Sequence, residues 1–178
     1  MLLNLTKMKS FIQNLSSDEA SQVLKTLLDD NPELMKKAYE IALKTADDVD
    51  IDSIMDDVCS ELDSLDVDDL YCHSGKTRYG YVEPTEKAWE MFEDALLPFI
   101  DEMKKSQQRA LPVAAKSHCI GIIKGLLLFE EESNSDFKDW VPDAPGECID
   151  TVVKEWKKGN PSDEDIAEVM SIVNNDQS

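Results

Sequence analysis

The chain has 178 residues, 42% of them hydrophobic, and sets 38 Asp+Glu against 18 Lys+Arg for a formal net charge of −20. That length suffices for a substantial core, and that apolar content excludes a wholly disordered chain. A charge this negative repels phosphate backbones and anionic lipid, which disfavours nonspecific nucleic-acid or membrane-surface binding and fits a basic partner, a cation or plain solubility better.

Taken in chain order, residues 1–15 read as a leading amphipathic helix with Leu2, Leu5, Met8, Ile12 and Leu15 on one face. Lysines inside the segment and the lack of an unbroken apolar stretch distinguish it from an export signal. Left exposed, this face docks on a second copy, so a homodimer through the N-terminal segment is one expectation; folded back, it caps its own bundle. Ser16 and Glu19 have capping-box spacing, and Ala20, Val23, Leu24, Leu27 and Leu28 follow at helical intervals. Asn31-Pro32 restarts the chain, because proline costs nothing where no intrahelical donor is needed. Leu34, Met35, Ala38, Tyr39 and Ala42 carry the next stripe, so the two segments are expected to form an antiparallel helical hairpin.

A third helix is expected from Ile51 to Leu65, then a turn-rich aromatic loop from Tyr71 to Pro84. Ala88, Trp89, Phe92, Leu96, Phe99 and Met103 predict a helix over 85–105 that Pro98 should kink. The segment 111–131 is apolar on nearly all sides after Cys119 and is therefore expected at the centre of the bundle. Its Gly121 and Gly125 lie one turn apart and predict close backbone packing on a neighbour. Its longest apolar run, 119–129, is interrupted by Lys124 and too short to span a membrane. A loop over 133–146 precedes two more helices, the second starting at Asn160-Pro161-Ser162, with a frayed tail at 174–178. No strand is expected.

Motifs with chemistry fail on inspection. Gly75-Lys76-Thr77 ends like a phosphate loop, but Leu70 stands where that loop needs glycine. The run from Asp48 to Ser53 echoes a calcium loop, yet Ser53 replaces the turn glycine and Cys59 the closing glutamate. Its aspartates suit a helix N-terminus instead. Cys72-His73 and His118-Cys119 have four zinc-type side chains, but helix neighbours lie about 100° apart and seldom chelate one ion together. A nucleophile dyad of Cys72 or Ser74 with His73 lacks an orienting group. No metal, no cofactor and no enzymatic activity are expected. The four cysteines include no CxxC pair and read as reduced thiols of a cytoplasmic protein.

The sharpest local feature is the 71–84 loop, where Tyr71, Tyr79, Tyr81, His73, Lys76 and Arg78 gather in a chain poor in arginine. Tyrosine and arginine anchor interfaces, so these residues together with Asp66, Asp68 and Asp69 are the candidate interaction surface. The competing reading wedges the tyrosines between helices and pairs Arg78 with one of the three aspartates.

The stretches DEASQVLKTLLDDNPELMKKAYEIA (18–42) and YGYVEPTEKAWEMFEDALLPFIDEMKK (79–105), followed by GIIKGLLLFEEE and DFKDW, resemble helical regions that accompany SWIM-type zinc fingers in bacterial and archaeal proteins. The finger itself needs C-x-C followed by C-x-H, and neither is present, so zinc and nucleic-acid binding do not carry over. The resemblance implies a helical-repeat-like interaction platform without catalytic residues.

The expectation is thus one all-α domain over 1–178, built of stacked antiparallel helical hairpins as an irregular bundle or short α-solenoid. Its expected role is protein–protein interaction with a basic partner. Two alternatives stand beside it. One is an acidic nucleic-acid mimic that blocks a DNA- or RNA-binding protein. The other is a metal-dependent helical-bundle enzyme, which only two histidines and no E-x-x-H spacing make a poor match.

Overall fold

A computed structural model of the chain describes residues 5–78 and 80–175. Among these the fold is all-α, with nine α-helices, one 3-10 helix and a single two-stranded hairpin. Where the sequence reading takes 1–178 as one domain, the chain divides into two units, Met1–Thr45 and Ala46–Ser178. The physical reason is coverage: apolar stripes recur along the whole chain, but only the second unit encloses a core.

The first unit holds α1 (Leu5–Gln13), α2 (Ser17–Asp29) and most of α3 (Pro32–Asp47). The expected caps are present. Ser16 Oγ accepts from the Glu19 amide at 3.4 Å while Glu19 Oε2 accepts from the Ser16 amide at 2.9 Å, and Asn31 Oδ1 accepts from the Leu34 amide at 3.1 Å. The expected hairpin packing is not. Among the described residues α2 and α3 do not lie against each other along their lengths, and none of the three helices has a buried residue. Leu2 lies outside the described residues.

The second unit is organised around α7 (Pro112–Glu132), which packs on α4 (Ile51–Asp63), α6 (Pro84–Gln108), α8 (Ala144–Lys157) and α9 (Asp163–Asn175). By length and composition α7 is long and apolar enough to cross a membrane, and most of it is buried within this unit, which explains why it is apolar on nearly all sides. Gly121 and Gly125 produce the close approach expected of them. A Cβ at Gly121 would lie 2.7 Å from Ile54 Cβ, and one at Gly125 would lie 2.6 Å from Val58 Cβ and 2.8 Å from the Met55 carbonyl oxygen. Phe92 of α6 and Phe129 of α7 meet at a ring separation of 5.7 Å with neither exposed.

The end of α6 is closed by backbone bonds from Ala110 to Gln107 and from Leu111 to Ser106, with Ala110 at a φ of 57°. Gln107 Nε2 then donates to the Trp156 carbonyl at 2.7 Å and ties this end to α8. Lys116 of α7 reaches α9 with Nζ 2.7 Å from Asp165 and 2.8 Å from Glu168, and both bonds raise the lysine above its ordinary pKa.

Several boundaries differ from the sequence reading. The helix α6 runs through Pro98, as the 85–105 reading has it, but extends to Gln108, and α9 starts after Ser162, whose Oγ accepts from the Asp165 amide at 3.2 Å; Asn160 sits at a φ of 53° before that start. Asn174 and Asn175 belong to α9 rather than to a frayed tail, and 176–178 lie outside the described residues. The expected loop over 133–146 contains a 3-10 helix, Asp136–Trp140, and the first turn of α8.

Candidate functional site

The 71–84 segment is where the local structure departs most from expectation. A short helix, α5 (Val67–His73), precedes two strands, β1 (Gly75–Thr77) and β2 (Gly80–Val82), paired antiparallel with Lys76 opposite Tyr81. Gly75 and Gly80 take φ values of 80° and 139°, which other residues rarely adopt. Three-residue strands are too short to show an alternating pattern, so hydrophobic periodicity is silent about them.

The eight described residues of the nine expected at the surface are spread over α5, with its cap, and the β1–β2 hairpin. Asp66 caps α5, its Oδ1 accepting from the Asp68 amide at 2.7 Å, while Asp68 and Asp69 occupy the first helical turn. They therefore serve the positive end of α5. Among the described residues Arg78 pairs with none of the three. Tyr71 is 57% exposed and meets Trp140 edge-on at 5.6 Å. His73 Nδ1 lies 2.8 Å from the Asp69 carbonyl oxygen and is occupied by its own helix. Lys76 and Tyr81 stand opposite each other on the hairpin, and Tyr79 lies outside the described residues.

Of these, the structure brings Tyr81 into a groove. Tyr81 and Val82 of β2 line an open cleft of about 450 Å³ with Glu86, Trp89, Glu90 and Glu93 from the start of α6. Positions 86, 89, 90 and 93 fall on one helix face, since three, four and seven residues nearly complete whole turns. Tyr81 is 66% exposed, Trp89 is half-buried and the three carboxylates are exposed. Glu90 pairs with Lys87 at 2.9 Å, whereas among the described residues Glu86 and Glu93 have no cationic partner. Sequence reasoning placed Trp89 in the core stripe with Ala88 and Phe92. The signal it passed over is that Trp89 also lies in line with three glutamates.

A second open groove, of about 560 Å³, runs between α7, α8 and α9 and is lined by Leu127, Glu130, Glu131, Ile149 and Asp150, among others. It has carboxylates but no aromatic wall. Among the described residues no three His, Cys, Asp or Glu side chains converge as metal ligands. His118 of α7 is held below its ordinary pKa by burial, which the nearby Glu102 opposes. Burial pushes the Cys119 and Cys148 thiols up to about 12, so both are inert packing groups at neutral pH. No protein-family model, curated protein or solved structure matches the chain.

Proposed function

We propose that the chain is a protein-interaction module whose acidic unit captures a basic segment of another protein in the β2–α6 groove. The observation that carries this reading is the pairing of aromatic surface with unneutralised carboxylate: Tyr81 and Trp89 beside Glu86 and Glu93 in one cleft. An arginine or lysine side chain is the ligand such a cleft suits. Its cation is drawn by the glutamates, and its planar or aliphatic portion lies on the rings.

Charge distribution supports the same assignment. Residues 1–45 contain six lysines and six acidic residues, leaving 32 of the 38 acids and 12 of the 18 basic residues, and therefore the whole −20, on residues 46–178. A field of that sign steers a basic partner toward the unit and makes association fall with salt.

The test is the affinity of a fluorescent peptide alternating arginine and glycine. Replacing both Glu86 and Glu93 with glutamine is expected to weaken binding about tenfold at low salt, equivalent to ~1.4 kcal/mol. The matched change at the other groove, Glu130→Gln with Glu131→Gln, removes the same charge and is expected to alter affinity by no more than about twofold. Equal losses in the two variants would mean that bulk charge, rather than this groove, does the binding, and the proposal would fail.

A further inference from the structure

We infer that α1–α3 form a self-association surface that seats a second copy of this chain. Among the described residues of 1–45, eleven large apolar side chains are between 36% and 74% exposed. Leu24 and Leu27 of α2 and Met35 and Tyr39 of α3 belong to this set, at 51%, 53%, 46% and 63%. With large side chains presenting roughly 150–250 Å² each, the set offers on the order of 1,000 Å² of apolar surface. A stable pair needs about 800 Å² from each partner, which this summed exposure reaches.

Charge selects the occupant. With six lysines against six acids, this unit is formally neutral, whereas each copy of residues 46–178 carries −20 and repels its like. Two copies therefore associate through 1–45 in preference to any acidic face. The stripes are bordered by both signs: Lys25, Lys36 and Lys37 on one hand, Asp29, Glu33 and Glu40 on the other. A two-fold interface sets each patch against itself, so a surface holding both signs can satisfy its own charges there, as a surface of one sign cannot. Among the described residues these helices also lack lengthwise partners within their own unit, and a second copy supplies them.

Sedimentation of the full chain at 150 and 500 mM salt tests the inference. The expected result is a concentration-dependent rise from 20.1 kDa to a plateau at twice that mass, tighter at the higher salt because screening relieves the repulsion between acidic units. Replacing Leu27 and Tyr39 together with glutamate is expected to weaken pairing at least about 100-fold. Both side chains are exposed, and unchanged far-UV circular dichroism and unchanged affinity for the arginine–glycine peptide would verify that the variant is folded. Val23→Lys with Leu24→Lys provides an independent second variant on α2. A mass of 20.1 kDa at every concentration and both salts would overturn the inference. So would pairing that survives both variants, or a mass that climbs without a plateau. A monomer that floats with zwitterionic phosphatidylcholine vesicles would assign the face to lipid and overturn it equally.

Discussion

Truncating Phe129 to alanine is expected to lower the unfolding free energy of the 46–178 unit by about 3–5 kcal/mol. The side chain is fully buried on α7, its ring 5.7 Å from that of Phe92, and Lys138 lies 5.8 Å from its centre. Removal strands Phe92 against a void that the surrounding helices can only partly close. Lys138 donates to the Glu130 and Ser133 carbonyl oxygens at 2.6 and 3.1 Å, so collapse at this point also disturbs the end of α7. For a domain whose total stability is about 5–15 kcal/mol, the loss is a large fraction. Denaturant unfolding of the full chain, followed by near-ultraviolet circular dichroism, measures it. Leu97→Ala, on the 47%-exposed outer face of α6, is the control and should cost well under about 1 kcal/mol. Similar losses for the two variants would place the core elsewhere.

Valine at Gly125 is expected to destabilise the same unit by about 3 kcal/mol, because α4 and α7 must separate to admit it. Even alanine is expected to destabilise, by about 1–2 kcal/mol, although alanine in a helix ordinarily gains about 1 kcal/mol over glycine. The added methyl would sit 2.6 Å from Val58 Cβ and 2.8 Å from a backbone oxygen, and neither is the movable end of a long side chain. Gly146 of α8 provides the opposite case. Nothing lies within 4 Å of a Cβ there, so Gly146→Ala should be neutral or stabilising. All three variants are read by denaturant midpoint, and a stabilising Gly125→Ala would contradict the close α4–α7 crossing.

These two predictions rest on features that were legible without coordinates. The spacing of Gly121 and Gly125 forecasts backbone contact, and the near all-round apolarity of 111–131 after Cys119 forecasts a central helix, because only a helix surrounded by others can bury every face. Ser16 with Glu19 and Asn31 before Pro32 marked helix starts, since those side chains satisfy amides that a helix leaves unpaired. The run from Asp48 to Ser53 was legible too. Asp50 accepts from the Asp52 and Ser53 amides at 3.1 and 3.3 Å and so caps the start of α4.

Other features were out of reach for definite reasons. Periodicity says that a helix has an apolar face but not what covers it. The stripes of α2 and α3 look like those of α4 and α8, yet the first pair is exposed and the second encloses Val58, Leu62, Val152 and Trp156. The hairpin of β1 and β2 is shorter than any readable period. Of the candidate surface residues, Tyr81 lies in the groove and Tyr71 against Trp140, whereas Asp66, Asp68 and Asp69 lie at the start of α5. Trp89 belongs to two patterns at once, the core stripe of α6 and its glutamate face. Only the placement of β2 beside that face makes the second one a groove.

The proposed function assigns the acidic unit a defined cleft for a cationic side chain rather than a diffuse negative surface. Amide-resolved nuclear magnetic resonance of the full chain, titrated with the arginine–glycine peptide, tests that claim most directly. The expected result is a saturable set of shifts at Tyr81, Val82, Glu86, Trp89, Glu90 and Glu93, including the Trp89 indole N–H, that disappears at high salt. Small, unsaturated shifts spread over every carboxylate-rich face, or a saturable set centred on Glu130, Glu131 and Asp150, would contradict it.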